Sequence, residues 1–115
     1  MKKYFSFLLV AFMVLGMVLS SFCDDSVKPL IIDVRTQAEW NNAHIEGAIL
    51  IPYDSIGEMI GTVVKDKSKM IYVYCRSARR SQIAKETLEK LGYKDVVNLG
   101  SLKDAAKAMK RKIVK

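Results

Sequence analysis

An α/β fold, in which helices cover both faces of a parallel sheet, is predicted by two kinds of segment that alternate along this sequence. Short apolar runs such as Leu30–Val34 and Met70–Tyr74 are typical of strands that are buried on both faces. Segments with a helical spacing of apolar residues separate these runs. A chain of 115 residues, of which 50% are hydrophobic, has room for one such domain, which excludes a multidomain protein.

The predicted elements follow in order along the chain. Strands are predicted at Leu30–Val34, Ala48–Ile51, Met70–Tyr74 and Val96–Leu99. Helices are predicted to begin near Thr36, Ser55, Arg79 and Leu102. Thr36 with Glu39, and Ser55 with Glu58, have the spacing of a capping box, in which the first side chain binds the start of the helix. Gly92 is expected to end the third helix.

Apolar residues at helical spacing predict which helix faces meet the sheet. In the second helix these residues are Ile56, Met59, Ile60, Val63 and Val64. In the third helix they are Ile83, Ala84, Thr87, Leu88 and Leu91. In the last helix they are Ala105, Ala106 and Met109.

Residues 1–23 are predicted to be a signal peptide, and residues 24–115 are predicted to be the mature domain. Lys2 and Lys3 precede an apolar run from Phe5 to Leu19, and Ser20 and Ser21 follow it. A basic start, a short apolar stretch and small residues behind it are typical of export, whereas a membrane span needs roughly 20 apolar residues. We therefore expect an exported, periplasmic protein, with an uncleaved anchor as the alternative.

Cys23 allows two interpretations of the cleavage site. Ser20–Cys23 resembles a bacterial lipobox, in which Cys23 would carry a lipid anchor, although Phe22 is bulky where that box has a small residue. Alternatively, Cys23 is a small residue of an ordinary cleavage site, and the mature chain begins at Asp24. Both interpretations leave Cys75 as the one free thiol of the mature domain, which excludes an internal disulfide framework. A monomer is expected.

The formal charge of +7 is concentrated in two places. Basic residues crowd the C-terminus, at Lys103, Lys107, Lys110, Arg111, Lys112 and Lys115, and they crowd the cysteine, at Arg76, Arg79 and Arg80. A nucleic-acid partner is not expected, because no aromatic residues are interleaved with the charges of the tail. The tail is interpreted as a solvated helix face, and the basic field around the cysteine favours a small anionic ligand.

Cys75 follows the clearest predicted strand and precedes a helix, which is where parallel sheets place their functional crevice. The segment Arg76–Ser81 must turn the chain, and such a turn directs backbone N–H groups inward as an anion-binding nest. This nest and the start of the helix lower the pKa of a thiol, which predicts a nucleophilic thiolate. The alternative is an inert buried cysteine. Since His44 is the only histidine, a cysteine hydrolase of the papain kind is not expected.

Three groups of residues resemble the signatures of rhodanese-family sulfurtransferases. They are Ile32–Arg35 with Glu39, Trp40 and His44–Ala48; then Tyr74–Ser81; and finally Leu91–Tyr93 with Asn98–Gly100. They occur in the family's order and cover about residues 30–102. The sequence departs from the family at Ala78, where Gly is frequent, and at Ser101, where many members have a second Gly.

The resemblance implies a single rhodanese-like domain that acts as a thiosulfate sulfurtransferase. Family members take the outer sulfur of thiosulfate onto the loop cysteine, release sulfite, and pass the sulfur to cyanide or to a thiol. Cys75 is then the catalytic residue, and the residues expected to bind the substrate are Arg76, Ser77, Ala78, Arg79 and Arg80. The alternatives are that one of Arg76 and Arg79 is only solvated, and that Arg80 turns inward to fix the loop or lies exposed. Asp33 and Arg35 are expected to brace the fold near the site, and His44 is expected to stabilise a turn.

No cofactor is expected, because the sequence has neither metal-ligand spacing nor a Gly-rich phosphate loop. Two other functions remain open. One is a non-enzymatic persulfide carrier or interaction module built on Cys75. The other is a phosphatase, whose catalytic loop has five residues between its cysteine and its arginine, whereas Arg80 comes one position early here.

Overall fold

This computed structural model describes residues 29–115, and within them the chain forms six strands and four helices. In chain order they are β1 (Leu30–Asp33), α1 (Gln37–Asn42), β2 (His44–Ile45), β3 (Ile49–Leu50), α2 (Ile56–Val63), β4 (Ile71–Cys75), α3 (Arg79–Lys90), β5 (Val96–Ser101), α4 (Leu102–Met109) and β6 (Ile113–Val114). The predicted signal peptide, with Cys23, lies outside the described residues. Within residues 29–115 no helix has the length and apolar content that crossing a membrane requires.

A four-stranded parallel sheet forms the centre of the fold, in the order β3-β1-β4-β5. Successive residues of a strand point to opposite faces, so the side chains of one strand pack into two cores, one on each face of the sheet. Ile32 and Val73 belong to the core under α2 and α3, where Ile56, Ile60, Ala84 and Leu88 are buried. Ile31 and Tyr74 belong to the core under α4, where Ala105 is buried. The predicted arrangement, with helices on both faces of a parallel sheet, is confirmed.

Only one of the two predicted capping boxes forms. The backbone N–H of Glu39 donates to the Thr36 hydroxyl oxygen (3.3 Å), and the Glu39 carboxylate accepts the N–H of Thr36 (3.3 Å). The prediction at Ser55 is wrong, because Ser55 has a helical backbone (φ −113°, ψ −1°) and its hydroxyl donates to the Pro52 carbonyl oxygen (3.3 Å) instead.

Three apolar side chains that were predicted to face the core are exposed. They are Met59 (44%), Val63 (38%) and Leu91 (44%). α2 has only eight residues and buries only Ile56 and Ile60. Leu91 lies beyond the last turn of α3, where the chain turns away from the helix at Gly92 (φ +99°), a conformation that suits glycine. Periodicity alone made the stripe of α2 wider than its buried part and extended the stripe of α3 past the end of the helix.

The C-terminal tail is not a continuous helix face, which corrects the prediction for it. α4 ends at Met109, Lys110 adopts a left-handed conformation (φ 53°), and β6 then pairs antiparallel with β2. The Ile45 N–H of β2 donates to the Tyr74 hydroxyl oxygen (3.1 Å), which ties this small sheet to the main one. Strands of two residues are too short to show an alternating pattern, so no local pattern predicts this pair.

The burial difference between Leu88 and Leu91 predicts a difference in stability. Leu88 has no exposed surface, so Leu88→Ala is expected to lower the free energy of unfolding by about 2–5 kcal/mol through lost burial and a cavity. Leu91→Ala is the matched control and should cost less than about 0.5 kcal/mol, as surface substitutions usually do. Urea unfolding of both variants measures the difference, and equal losses would contradict the assigned faces.

Candidate active site

Cys75 is the last residue of β4 and has no exposed surface. The chain turns through residues 76–78 before α3 begins at Arg79. Ala78, the residue before the helix, has φ +72°, a left-handed conformation that costs a residue with a side chain roughly 1–2 kcal/mol. The turn brings backbone N–H groups toward the sulfur, as the sequence predicted for a nest.

The environment of Cys75 favours the thiolate. Burial raises the pKa of the thiol, but hydrogen bonds from the Ser81 hydroxyl and from the N–H groups of Ser81, Ser77 and Arg80 outweigh burial, so the pKa lies below its ordinary value. A thiolate is the nucleophilic form of cysteine, and here it arises without a neighbouring general base. The sulfur is therefore prepared for attack on an electrophilic atom.

The Ser81 hydroxyl links the thiol to β5. Its oxygen lies 3.2 Å from the Cys75 sulfur, 3.0 Å from the Ala78 carbonyl oxygen and 2.6 Å from the Asn98 amide oxygen. A hydroxyl has one hydrogen, so it donates to only one of these atoms at a time. The Asn98 oxygen also accepts the N–H of Gly100 (2.9 Å), so it keeps a donor when the Ser81 hydrogen turns to the thiolate.

Asn98 also holds the strained turn in place. Its amide nitrogen donates to the Ala78 carbonyl oxygen (3.1 Å) and to the Gln82 side-chain oxygen (3.2 Å). Strained backbone persists where surrounding contacts fix it, and the Ala78 carbonyl oxygen also accepts the backbone N–H of Gln82 (3.0 Å), so it is held from two sides. The sequence prediction assigned no role to Asn98 or to Ser81. Ser81 could have been found from the sequence, because it shares the buried face of α3 with Ala84 and Leu88. A hydroxyl on a buried face needs a hydrogen-bond partner.

Arg80 was predicted to be a substrate-binding residue, but its guanidinium is paired with Glu39. The two nitrogens lie 2.8 and 2.9 Å from the two carboxylate oxygens. This pair, aided by hydrogen bonds from Thr36, lowers the pKa of Glu39 to about 2. The ion pair therefore stabilises the fold fully above the ordinary glutamate pKa of 4.5 and is lost as the pH falls through about 2. Arg80 serves the thiol through its backbone N–H.

Asp33 and Arg35 form a buried ion pair at the end of β1. The Arg35 Nε and Nη2 atoms donate to the Asp33 carboxylate at 2.9 and 2.6 Å, and Nη2 also donates to the Ala43 carbonyl oxygen (2.6 Å). Asp33 is fully buried and Arg35 is 6% exposed. The two residues brace the strand against the end of α1.

His44 stabilises the turn after α1. Its Nδ1 lies 2.9 Å from the Trp40 carbonyl oxygen, which can only accept, so Nδ1 carries the hydrogen. The rings of His44 and Trp40 are stacked, with centroids 3.6 Å apart and planes 3° apart. Trp40 is therefore half-buried and packs against the His44 ring.

A pocket of about 430 Å³ lies beside the loop, between α1 and the start of α4. Arg76 lines it, whereas Arg79 is exposed and does not. Ser77 contributes its N–H to the sulfur, and its side chain is exposed. Of the residues expected to bind the substrate, Arg76 thus lines the pocket, Ser77 belongs to the nest, and Arg79 faces solvent. No group of three or more His, Cys, Asp or Glu side chains in the described part of the chain is arranged to hold a metal ion.

The sequence profile described as "Rhodanese-like domain" matches residues 20–108, and the chain therefore belongs to the rhodanese family. It is 45% identical to the thiosulfate sulfurtransferase PspE of Escherichia coli (strain K12) over 75 residues, which are 65% of this chain and 72% of that protein. It is 36% identical to YrkF of Bacillus subtilis (strain 168), a candidate sulfur carrier protein, over 69 residues, which are 60% of this chain and 36% of YrkF.

A solved structure gives the same result. The structure titled "rhodanese with anions from E. coli" superposes with a TM-score of 0.70 and 41% sequence identity, and the match covers 76% of this chain and 99% of that one. The family predicted from the sequence motifs is confirmed, and sulfurtransferases are among its relatives.

The Ser81 hydroxyl is expected to control the ionisation of Cys75. Ser81→Ala removes one charge-assisted hydrogen bond to the thiolate, so the pKa of the Cys75 thiol should rise. Ser77→Ala is the matched control, because Ser77 acts through its backbone N–H and should leave the thiol pKa unchanged. A pH titration of thiolate absorbance measures both variants. An unchanged titration curve for Ser81→Ala would refute this role.

Proposed function

We propose that this chain is a thiosulfate sulfurtransferase that holds sulfane sulfur as a persulfide on Cys75. The observation that carries the proposal is a buried thiol whose pKa is lowered by a nest of hydrogen-bond donors, next to a pocket lined by Arg76. The similarity to a protein named thiosulfate sulfurtransferase supports the choice of donor.

In the first half-reaction, the Cys75 thiolate attacks the outer sulfur of thiosulfate. A bond forms between the two sulfurs, the sulfur–sulfur bond of thiosulfate breaks, and sulfite leaves with its electron pair. The negative charge moves from Sγ to the outer sulfur of the persulfide. The donors around the site, namely the Ser81 hydroxyl and the N–H groups of Ser77, Arg80 and Ser81, stabilise this charge without further rearrangement.

In the second half-reaction, a nucleophilic acceptor attacks the outer sulfur of the persulfide. Cyanide leaves as thiocyanate, and a thiolate leaves as a new persulfide; in both cases the electron pair of the broken bond returns to Sγ. Because the low pKa of Cys75 makes its thiolate a good leaving group, the same environment serves both half-reactions.

A persulfide carrier is the second candidate, and the similarity to YrkF favours it. A carrier and an enzyme share the persulfide but differ in turnover, since a carrier releases its sulfur only to a partner protein. A phosphatase is not proposed. The loop to Arg80 is one residue short of the phosphatase pattern, and the Arg80 guanidinium is paired with Glu39 rather than free for a phosphoryl group.

We also propose that the protein acts after export, in the periplasm. The support is the N-terminal pattern of two lysines, an apolar run and small residues at positions 2–21. Intact-mass measurement of the protein purified from cells identifies its first residue and shows whether Cys23 carries a lipid.

Cys75→Ser is expected to abolish thiosulfate:cyanide sulfur transfer, because a serine hydroxyl does not form the persulfide. Thiocyanate production measures turnover, and intact mass after incubation with thiosulfate should show one added sulfur atom on the wild type only. Urea unfolding checks that the variant remains folded. Turnover by the variant would exclude Cys75 as the nucleophile. A wild-type protein that forms the persulfide but does not turn over would favour the carrier.

Arg76 is expected to capture the dianionic donor. It lines the pocket, is exposed, and forms no ion pair with any residue of the described range 29–115. Arg76→Ala removes one charge-assisted interaction of about 1.5–3 kcal/mol, so kcat/KM for thiosulfate should fall roughly ten- to a hundredfold. Added salt should weaken the wild type more than the variant, since such attraction is screened over about 10 Å at 0.1 M.

The matched control for Arg76 is Lys90→Ala. Lys90 is at the other end of α3, about 16 Å along the helix from Arg79 at 1.5 Å per residue. The Lys90→Ala substitution also removes one positive charge but does not change the pocket, so the kcat/KM of this variant should stay at the wild-type value. Equal efficiency and equal salt response in all three proteins would eliminate Arg76 as a binding residue.

A further inference from the structure

The start of α4 lies next to Cys75 because of an irregularity between β4 and β5. Val73 is paired with Asn98, but Cys75 is paired with Ser101, so β5 contains one extra residue over this interval. Gly100 lies in it with φ +86°, as expected of a residue in a bulge. Ser101 then caps α4, accepting the N–H of Asp104 (3.1 Å). Ser101, which lines the pocket, is therefore the backbone partner of Cys75, whereas Cys75 itself is not a lining residue.

Two cations line this pocket without a partner. Leu102 and Lys103 follow Ser101 and line one wall, and Arg76 lines another. Neither Lys103 nor Arg76 forms an ion pair within residues 29–115. Arg35 also lines the pocket, but Asp33 pairs with it.

The negative groups nearby do not cancel this charge. Glu39 lines the pocket, but both of its carboxylate oxygens are bound by Arg80. Asp104 belongs to the first turn of α4 and is not among the lining residues. The pocket thus carries an excess of positive charge, to which the amino-terminal end of α4 adds a smaller contribution.

The pocket is larger than the donor needs. A water molecule occupies about 30 Å³ of liquid, so thiosulfate, with five non-hydrogen atoms, takes roughly 150 Å³. A volume of about 430 Å³ instead lies in the range of sites for organic molecules, which is roughly 300–1,000 Å³. Leu102 supplies an apolar surface for a carbon chain. The space beyond the donor fits a larger ligand that carries negative charge.

We propose that this pocket is an acceptor site for a small organic thiol bearing a carboxylate, and that Lys103 is the residue that selects it. The inference rests on the proposed function, because the acceptor receives the outer sulfur of the Cys75 persulfide. The acceptor thiolate attacks that sulfur, a new sulfur–sulfur bond forms, and the electron pair of the old bond returns to Sγ. Lys103 binds the carboxylate and holds the thiolate near the persulfide.

The test isolates the acceptor step. The persulfide is loaded on the full chain with thiosulfate, excess donor is removed, and its discharge is followed by intact mass. The acceptors are 3-mercaptopropionate, 2-mercaptoethanol and cysteamine, which have similar size but carry a negative, a neutral and a positive end. Each acceptor is compared between wild type and variant, so that differences in intrinsic thiol reactivity cancel.

Lys103→Ala is expected to raise the half-saturating concentration of 3-mercaptopropionate roughly tenfold, as the loss of one charge-assisted contact does. The variant should not raise it for 2-mercaptoethanol or cysteamine. Lys107→Ala is the matched control, since Lys107 is exposed on the same helix and does not line the pocket. It should leave the discharge by all three thiols unchanged.

Two results would overturn the acceptor site: the same change for all three thiols in Lys103→Ala, or the same selective loss in Lys107→Ala. Failure of the proposed function is a separate result. If thiosulfate does not load Cys75, the proposed donor is wrong, and inorganic polysulfide is used to load the persulfide instead. The acceptor comparison is then made in the same way.

Discussion

The left-handed turn at Ala78 is the constraint on which the rest of the site depends. It is unfavourable for a residue with a side chain, and two hydrogen bonds to its carbonyl oxygen, from the Gln82 backbone N–H and the Asn98 amide, hold it in place. Because the turn is held, the N–H groups after it converge on the Cys75 sulfur and offset the cost of burying a thiolate. Asn98 contacts both the Ala78 carbonyl and the Ser81 hydroxyl, so the contacts that stabilise the loop and those that favour the thiolate form one network.

The charged residues of the site have separate tasks. Asp33 with Arg35, and Glu39 with Arg80, are paired and connect β1, α1 and α3 to one another. Arg76 and Lys103 stay unpaired within the described residues and face the same pocket. Pairing removes a charge from the field that a ligand would experience, so the positive field in this pocket comes from the unpaired cations. A count of arginines near the cysteine does not reveal this division.

Much of the fold could be predicted from the sequence because its signals are local. The parallel strands are continuous apolar runs, and α1 begins at a capping box whose two side chains are three residues apart. The errors have a shared cause. Leu91 follows the helical spacing but lies past the contact between α3 and the sheet, and the β2–β6 pair joins residues about 70 positions apart. Neither fact is encoded in a local pattern.

For the site, the sequence by itself predicted the family, because three groups of residues match its motifs in order, and it predicted the loop that holds the thiol, because Cys75 lies between a strand and a helix. Only the tertiary structure decided which residues assist that thiol. Asn98, which contacts Ser81, is 23 positions from Cys75, and Glu39 is 41 positions from Arg80. The partners of a buried polar or charged group are set by packing, which brings distant segments together, and no spacing along the chain records them.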